Sequence, residues 1–546
     1  MENYHIISIL FCICVLFFNY REIKYANKLQ PHVNKNLILA TQLVLFVGIL
    51  IRTISLSYPE GVFADEAIGG YDTWCLANYG VDHHLNPYPV YFRSWGSGQS
   101  ALYGYFALPF VKLFGLSTPV FRLPMALWSS IAIIIFYWSL RQTQKDTIFI
   151  FLITLLVVIS PWHIMMSRWA LDCNLSPDFM LIGVSFILVL FGNKSSFKKN
   201  LIYLFLAFTF FALVAYSYGI SWFMLPLFCI LIIGYSLWKK KITVGQIFIC
   251  GVWTILILIP LILFAFLLFS DGEQFQLGPI TITELKAGRH HTTTLLGTDQ
   301  PFLAILSYGK MAARLLFLGD DLLKWNSIRY WGQFYNLLAI PFIIYCFYNY
   351  IKRKNFTSID SIFIIWLISV LPILVLVEPN VNHWNLLWFP LTYFLAKSIY
   401  LFVVKYPRKK IITYIAIGLL GVSFCIKYFT TYSQNQSSGF TTGVEEIVSY
   451  TSRMDLEKIY YPNHIVYAVT LFYEPINPEQ YNKIKKRTGS SAIEYYDYGK
   501  YIFHTPSDII PEPKTAYVIS NNDLDNINTT DFEIYRGKYY TVLWTE

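Results

Sequence analysis

Runs of about twenty apolar residues, repeated along the chain, limit what it can fold into. Twelve are legible, at about 4–19, 37–57, 119–140, 147–166, 175–192, 200–217, 219–238, 245–269, 333–351, 360–377, 384–404 and 411–429. A helix crossing the hydrocarbon core of a membrane needs about 20 mostly apolar residues. Backbone groups find no water there, so the chain must satisfy them within itself, and a helix does this. Of 546 residues, 55% are hydrophobic and only 14% charged; the charged share is roughly half the usual one, which excludes a disordered chain, a coiled coil and a secreted disulfide scaffold. The sequence therefore predicts an all-α polytopic membrane bundle of about twelve transmembrane helices. No small-residue cleavage site follows the first run, so it reads as a retained helix rather than a signal peptide.

Basic residues orient the bundle. Clusters fall at Arg21, Lys24, Lys28 and Lys35; at Arg141 and Lys145; at Lys194, Lys198 and Lys199; at Lys239–Lys241; at Lys352–Lys354; and at Lys405–Lys410. These occupy every second connection, which the positive-inside rule assigns to the cytoplasm. The net charge of +9 is thus membrane topology, and no nucleic-acid partner is read from it. The N-terminus, the long connections 58–118 and 270–332 and the tail from about 431 fall on the extracytoplasmic face. The run 100–116 is short, holds Pro109 and Lys112, and reads as an interfacial or re-entrant helix. In the tail, GVEEIVSYTSRM and PEQYNKIKKRT read as helices and KIYYP, YIFHT, TAYVIS and KYYTVLWT as strands. The expected organisation is 1–36, an extra helix and cytoplasmic loop; 37–430, the main transmembrane domain with the outer loops 58–118 and 270–332; and 431–546, a soluble α/β domain.

Helix interiors carry almost no charge in this reading, and ionisable residues crowd the outer loops. That favours chemistry at the surface over transport through the midplane. Asp65 and Glu66 lie about eight residues past the second run and open an amphipathic segment. An Asp before a helix is a good N-cap and a Glu in the first turn suits the macrodipole, so a capping role stands beside a catalytic one. The segment SPWHIMMSRWALDCNLSP carries His163, Arg168 and Asp172; Arg122 sits in FRLPMAL and Arg93 in YFRSWGSGQS. An Arg at the bilayer edge either snorkels to headgroups or offers fixed donors to a lipid phosphate. Arg289, His290, His291, Arg314 and Lys324 add basic groups from the loop 270–332. Adjacent histidines point apart on regular structure, and no CxxC pair occurs, so no metal site is read. Cys75 and Cys173 fall in outer loops, where a disulfide between them is open.

The Asp-Glu pair, RLPMAL and SPWHIMMSRWALDCNLSP, in that order and on one face, resemble the polyprenyl-phosphate-sugar-dependent glycosyltransferases of the GT-C fold. The nearest resemblance is to the family 39 type, which includes protein O-mannosyltransferases and the aminoarabinose transferase of lipid A. It covers roughly 37–430. The resemblance implies Asp65 as catalytic base with Glu66 beside it, an acidic contribution from Asp172, and Arg168 at the lipid phosphate, helped by some of His163, Arg93 and Arg122. The segment NVNHWNLLWFPL resembles a later element that often has Arg where this chain has His383, which leaves the role of His383 open.

The resemblance makes an inverting membrane glycosyltransferase on the extracytoplasmic face the expectation. Its donor is a sugar on a polyisoprenyl phosphate, embedded among membrane lipid. Its acceptor is a hydroxyl of an envelope polymer, a glycolipid or a protein. No cofactor is implied, and divalent-metal dependence is open. A transporter or flippase for lipid-linked sugars and a non-catalytic envelope-assembly scaffold are the alternatives.

Overall fold

The structure is a computed structural model that describes residues 4–29, 34–192, 196–270, 272–285, 293–353, 356–433, 439–488 and 494–546. All twelve apolar runs are helical. Among the described residues, ten helices are long and apolar enough to cross a membrane, and nine of them coincide with those runs. The other three runs form shorter apolar helices, Thr147–Val158, Leu225–Trp238 and Asn336–Asn349. The tenth long helix, Pro301–Leu318, falls in the segment 270–332 that the sequence reads as a loop. Ser307, Tyr308, Lys310 and Arg314 dilute its hydropathy, and almost all of it faces outward rather than into a protein core. The chain is an integral membrane protein.

Proline decides where several runs break. It lacks an N–H and is best tolerated in the first turn of a helix. Pro161 therefore opens a separate short helix, Pro161–Met166, capped by Ser160. Leu371–Leu376, with Pro372 in its first turn, likewise follows Ser358–Ser369.

The chain folds into two compact units. The first comprises Met1–Ile54, Met125–Ile262 and Arg289–Tyr428. It is helical, and its buried charges stand mostly in terminal helix turns: Arg52 in the last turn of Lys35–Thr53, Asp178 in the first turn of Leu175–Gly192 and Asp360 in the first turn of Ser358–Ser369. Arg52 and Asp178 are fully buried. So is Asp360, which accepts from the Tyr393 hydroxyl and pairs with Lys397 at 3.3 Å. Each charge has a partner, as a low-dielectric interior demands.

The second unit comprises Ser55–Pro124, Leu263–Gly288 and Phe429–Glu546. Its sheet has seven strands in the order Glu533–Arg536, Tyr540–Thr545, Thr515–Ser520, Lys458–Tyr460, Tyr501–Ile502, Tyr496–Tyr498 and Lys485–Arg487. Lys458–Tyr460 runs parallel to both of its neighbours and the remaining pairs are antiparallel. The four expected strands and the helices Val444–Thr451 and Pro478–Ile484 are present. The end of PEQYNKIKKRT is the edge strand Lys485–Arg487 instead, its paired lysines and arginine blunting that edge. The run 100–116 forms the helix Leu102–Phe114, which packs with Tyr467–Tyr473 around the helix Ala64–Tyr79.

Candidate active site

Asp65 and Glu66 occupy the first turn of Ala64–Tyr79 and part company there. Successive residues on a helix point about 100° apart, so one can be buried while its neighbour is not. Glu66 is the buried one. Its Oε2 accepts from the Phe63 N–H at 3.3 Å, which takes up an otherwise orphaned backbone donor. The capping role thus belongs to Glu66 rather than Asp65. Arg122 grips the same carboxylate with two parallel bonds, Nε to Oε1 at 2.7 Å and Nη2 to Oε2 at 2.8 Å. Arg122 is itself fully buried and donates further to the carbonyls of Leu56, Pro59 and Gly61. Gly61 cannot be replaced cheaply, because a Cβ there would lie 1.9 Å from the Phe440 carbonyl oxygen and its φ is +86°.

Asp65 stays partly exposed. Its Oδ1 accepts the indole N–H of Trp95 at 2.6 Å. Trp95 stands at the tip of the hairpin Tyr91–Ser94/Ser97–Ser100. The ring of Trp95 packs against Tyr467 at 5.4 Å and Tyr495 at 5.9 Å between centroids. On the same hairpin, Arg93 is 20% exposed and pairs with Glu494 at 2.6 Å.

Further along the same helix, Asp72 forms a buried pair with His83 from the turn that follows it, Nδ1 of His83 lying 2.6 Å from Oδ1 of Asp72. Asp82, also buried, accepts from the N–H groups of His84 and Asn86 and from the Asn86 amide. Burial first, and then the charge of Asp72, push the Asp82 carboxyl up to about 6.

The remaining expected residues lie in the first unit. His163 is fully buried, with Nε2 2.9 Å from Asp178 Oδ1 and Nδ1 2.7 Å from Arg52 Nη2. Arg168 is fully buried, and its Nη1 donates to the carbonyls of Ile51, Arg52 and Ile54, the end of the helix Lys35–Thr53. A cation suits that position, where helix carbonyls lack partners. Asp172 is half-buried and its Oδ1 accepts from the Cys173 N–H. His383 is half-buried, with Nδ1 2.8 Å from the Glu378 carbonyl oxygen. Arg314 pairs with Asp320 and Lys324 is exposed. Arg289, His290 and His291 lie outside the described residues. Cys75 and Cys173 are both buried, and no disulfide joins them. Among the described residues no three or more His, Cys, Asp or Glu side chains converge as a metal site.

No protein-family model matches the chain, and no curated protein matches it. Solved structures do. ArnT from Cupriavidus metallidurans bound to undecaprenyl phosphate superposes with a TM-score of 0.52 at 10% identity, over 92% of this chain and 97% of that one. The fold is the GT-C fold. The Archaeoglobus fulgidus oligosaccharyltransferase in complex with Zn and sulfate overlays with a TM-score of 0.48 at 13% identity, over 78% of this chain and 61% of that one.

On this GT-C scaffold the structure adds residues that sequence reasoning passed over. Trp95 and Glu494 escaped because each is a single residue with no periodic signal, brought in by contacts across 30 and 401 positions. Arg52 and Asp178 were legible as charges inside apolar runs, which is itself a signal.

Proposed function

We propose that this chain is a membrane glycosyltransferase that moves a sugar from a polyisoprenyl phosphate to an acceptor hydroxyl on the extracytoplasmic face. The observation that carries the proposal is the division of labour between two adjacent carboxylates in a GT-C fold. Glu66 is consumed by Arg122, while Asp65 is partly exposed with one oxygen oriented by an indole. That leaves Oδ2 of Asp65 for an incoming hydroxyl. A base needs such an open, oriented carboxylate within hydrogen-bond reach of the proton it takes.

In the proposed step the acceptor oxygen attacks the anomeric carbon as the bond from that carbon to the phosphate oxygen breaks. Asp65 takes the hydroxyl proton. The phosphate departs as the lipid phosphate, and the configuration inverts. One base suffices, since the leaving group needs no protonation of the kind an ordinary glycoside does. Arg93, partly exposed and steered by Glu494, is our candidate for countering the phosphate charge. The buried Arg122 we assign to holding Glu66 and the 56–61 backbone. Arg168 and His163 we assign to holding helix ends in the first unit. For Asp172 we keep the acidic contribution that the resemblance implies.

The test is incubation of purified protein with undecaprenyl-phosphate conjugates of mannose, glucose and galactose plus candidate acceptors. Release of undecaprenyl phosphate that requires acceptor, and that Asp65→Asn removes, supports the proposal. Movement of the conjugate across vesicles without cleavage would identify a transporter instead.

A further inference from the structure

Trp95 sits where a large side chain is unexpected. The turn Trp95–Gly96 joins two strands that pair Ser94 with Ser97, and both turn residues have positive φ, +55° and +81°. That is the type I′ pattern, which Asn, Asp and Gly fill readily. A bulky residue in the left-handed region is a true outlier, and such outliers concentrate at functional sites. The indole is only partly buried at the hairpin tip, so its packing on Tyr467 and Tyr495 leaves part of the ring open.

What the indole does is twofold. Its N–H fixes Oδ1 of Asp65 at 2.6 Å. Its ring joins Tyr495, which is 38% exposed, over the buried Tyr467. An open aromatic wall thus stands against the carboxylate. A sugar ring has an apolar C–H face that suits such a wall, and binding sites combine aromatic faces of this kind with a few placed polar groups.

We infer that Trp95, with Tyr495, is the platform for the sugar ring of the donor, and that it positions Asp65 through its N–H. The inference rests on the glycosyl-transfer reading and names the subsite within it. The anomeric carbon must lie within about 3–3.5 Å of the attacking oxygen held by Asp65, and the group bonded to that carboxylate is the one placed to seat the ring. No covalent role falls to Trp95.

Two substitutions separate its two duties. Trp95→Phe keeps an aromatic ring and loses the N–H. Trp95→Gln keeps a donor and loses the ring. Tyr495→Ala tests the wall at an exposed position where folding is not at stake. Binding is measured on the full-length protein in nanodiscs, with undecaprenyl phosphate and with its mannose, glucose and galactose conjugates. Trp95→Gln and Tyr495→Ala should weaken the conjugate that wild type prefers by about three- to tenfold, the worth of one aromatic contact, and leave undecaprenyl phosphate unchanged. Trp95→Phe should bind the conjugate normally yet turn over more slowly, with a displaced pH profile. Loss of both ligands in parallel, or wild-type binding of the conjugate by Trp95→Gln and Tyr495→Ala, overturns the platform. Should wild type bind the conjugates but transfer no sugar, the glycosyl-transfer reading fails while the platform stands.

Discussion

Arg122 and Glu66 meet through two parallel hydrogen bonds with both side chains buried. Such a pair is costly to break from one side, because the survivor is left as an uncompensated charge away from water. Glu66→Ala or Arg122→Ala should therefore cost on the order of 3–5 kcal/mol. Arg122→Lys should recover little, since an ammonium cannot supply the fork or reach the carbonyls of Leu56, Pro59 and Gly61 together. Thermal unfolding of the detergent-solubilised protein is the measurement. Unchanged melting in all three variants would show that this pair does not hold the helix start.

Asp65 predicts the opposite signature. It is partly exposed, and the Trp95 indole donates to one of its oxygens. Asp65→Asn keeps an acceptor oxygen for that indole and loses the proton sink. Turnover should drop about 10²–10⁴-fold, the usual contribution of a general base, while the melting temperature and binding of undecaprenyl phosphate hold. A variant that transfers sugar at near-normal rate would remove Asp65 from the chemistry.

The contrast between these neighbours marks the limit of what one-dimensional reading can reach. Twelve apolar runs were enough to place twelve helical segments, because hydrocarbon leaves the backbone so few choices. The tail declared four of its seven strands, while Lys485–Arg487, Tyr496–Tyr498 and Glu533–Arg536 went unread. By contrast, Asp65 and Glu66 are adjacent acids in the same turn. Which one is buried depends on Arg122, 56 positions away. Pro301–Leu318 was hidden for a different reason: an outward-facing helix that carries Lys310 and Arg314 looks in sequence like a polar loop.

Asp82 should leave a mark on stability against pH. Burial, with the charge of Asp72 second, lifts its pKa to about 6, and the neighbouring His83 works in the other direction. A carboxyl whose pKa rises on folding holds its proton more tightly in the folded chain. Its contribution to stability is complete below the ordinary carboxylate range of about 3.9 and is lost as pH climbs through the folded value. The stability of Asp82→Asn relative to wild type should therefore grow between about pH 4 and 6 and level off above. Melting curves of both proteins across that interval provide the check. A constant offset between them would mean that Asp82 titrates normally.

The deepest charges make the last prediction. Arg52, His163, Asp178 and Ser129 form one chain of contacts, fully buried: Arg52 to His163 at 2.7 Å, His163 to Asp178 at 2.9 Å, and the Ser129 hydroxyl to the far oxygen of Asp178. Arg52 also donates to the carbonyls of Gly48 and Val158, so the chain ties the helix Lys35–Thr53 to the end of Thr147–Val158. Truncating Asp178 alone takes the carboxylate from this chain and leaves the buried guanidinium of Arg52 uncompensated, which should cost on the order of 3–5 kcal/mol. Replacing Arg52, His163 and Asp178 together with apolar residues of similar volume removes every stranded charge, and should cost less than the single change or even stabilise. That ordering separates a network held by electrostatics from one needed for its geometry. If the triple replacement melts as normally folded protein yet loses turnover, the chain serves to set the site. If it melts lower than Asp178→Ala, the electrostatic account is wrong and shape governs this part of the bundle.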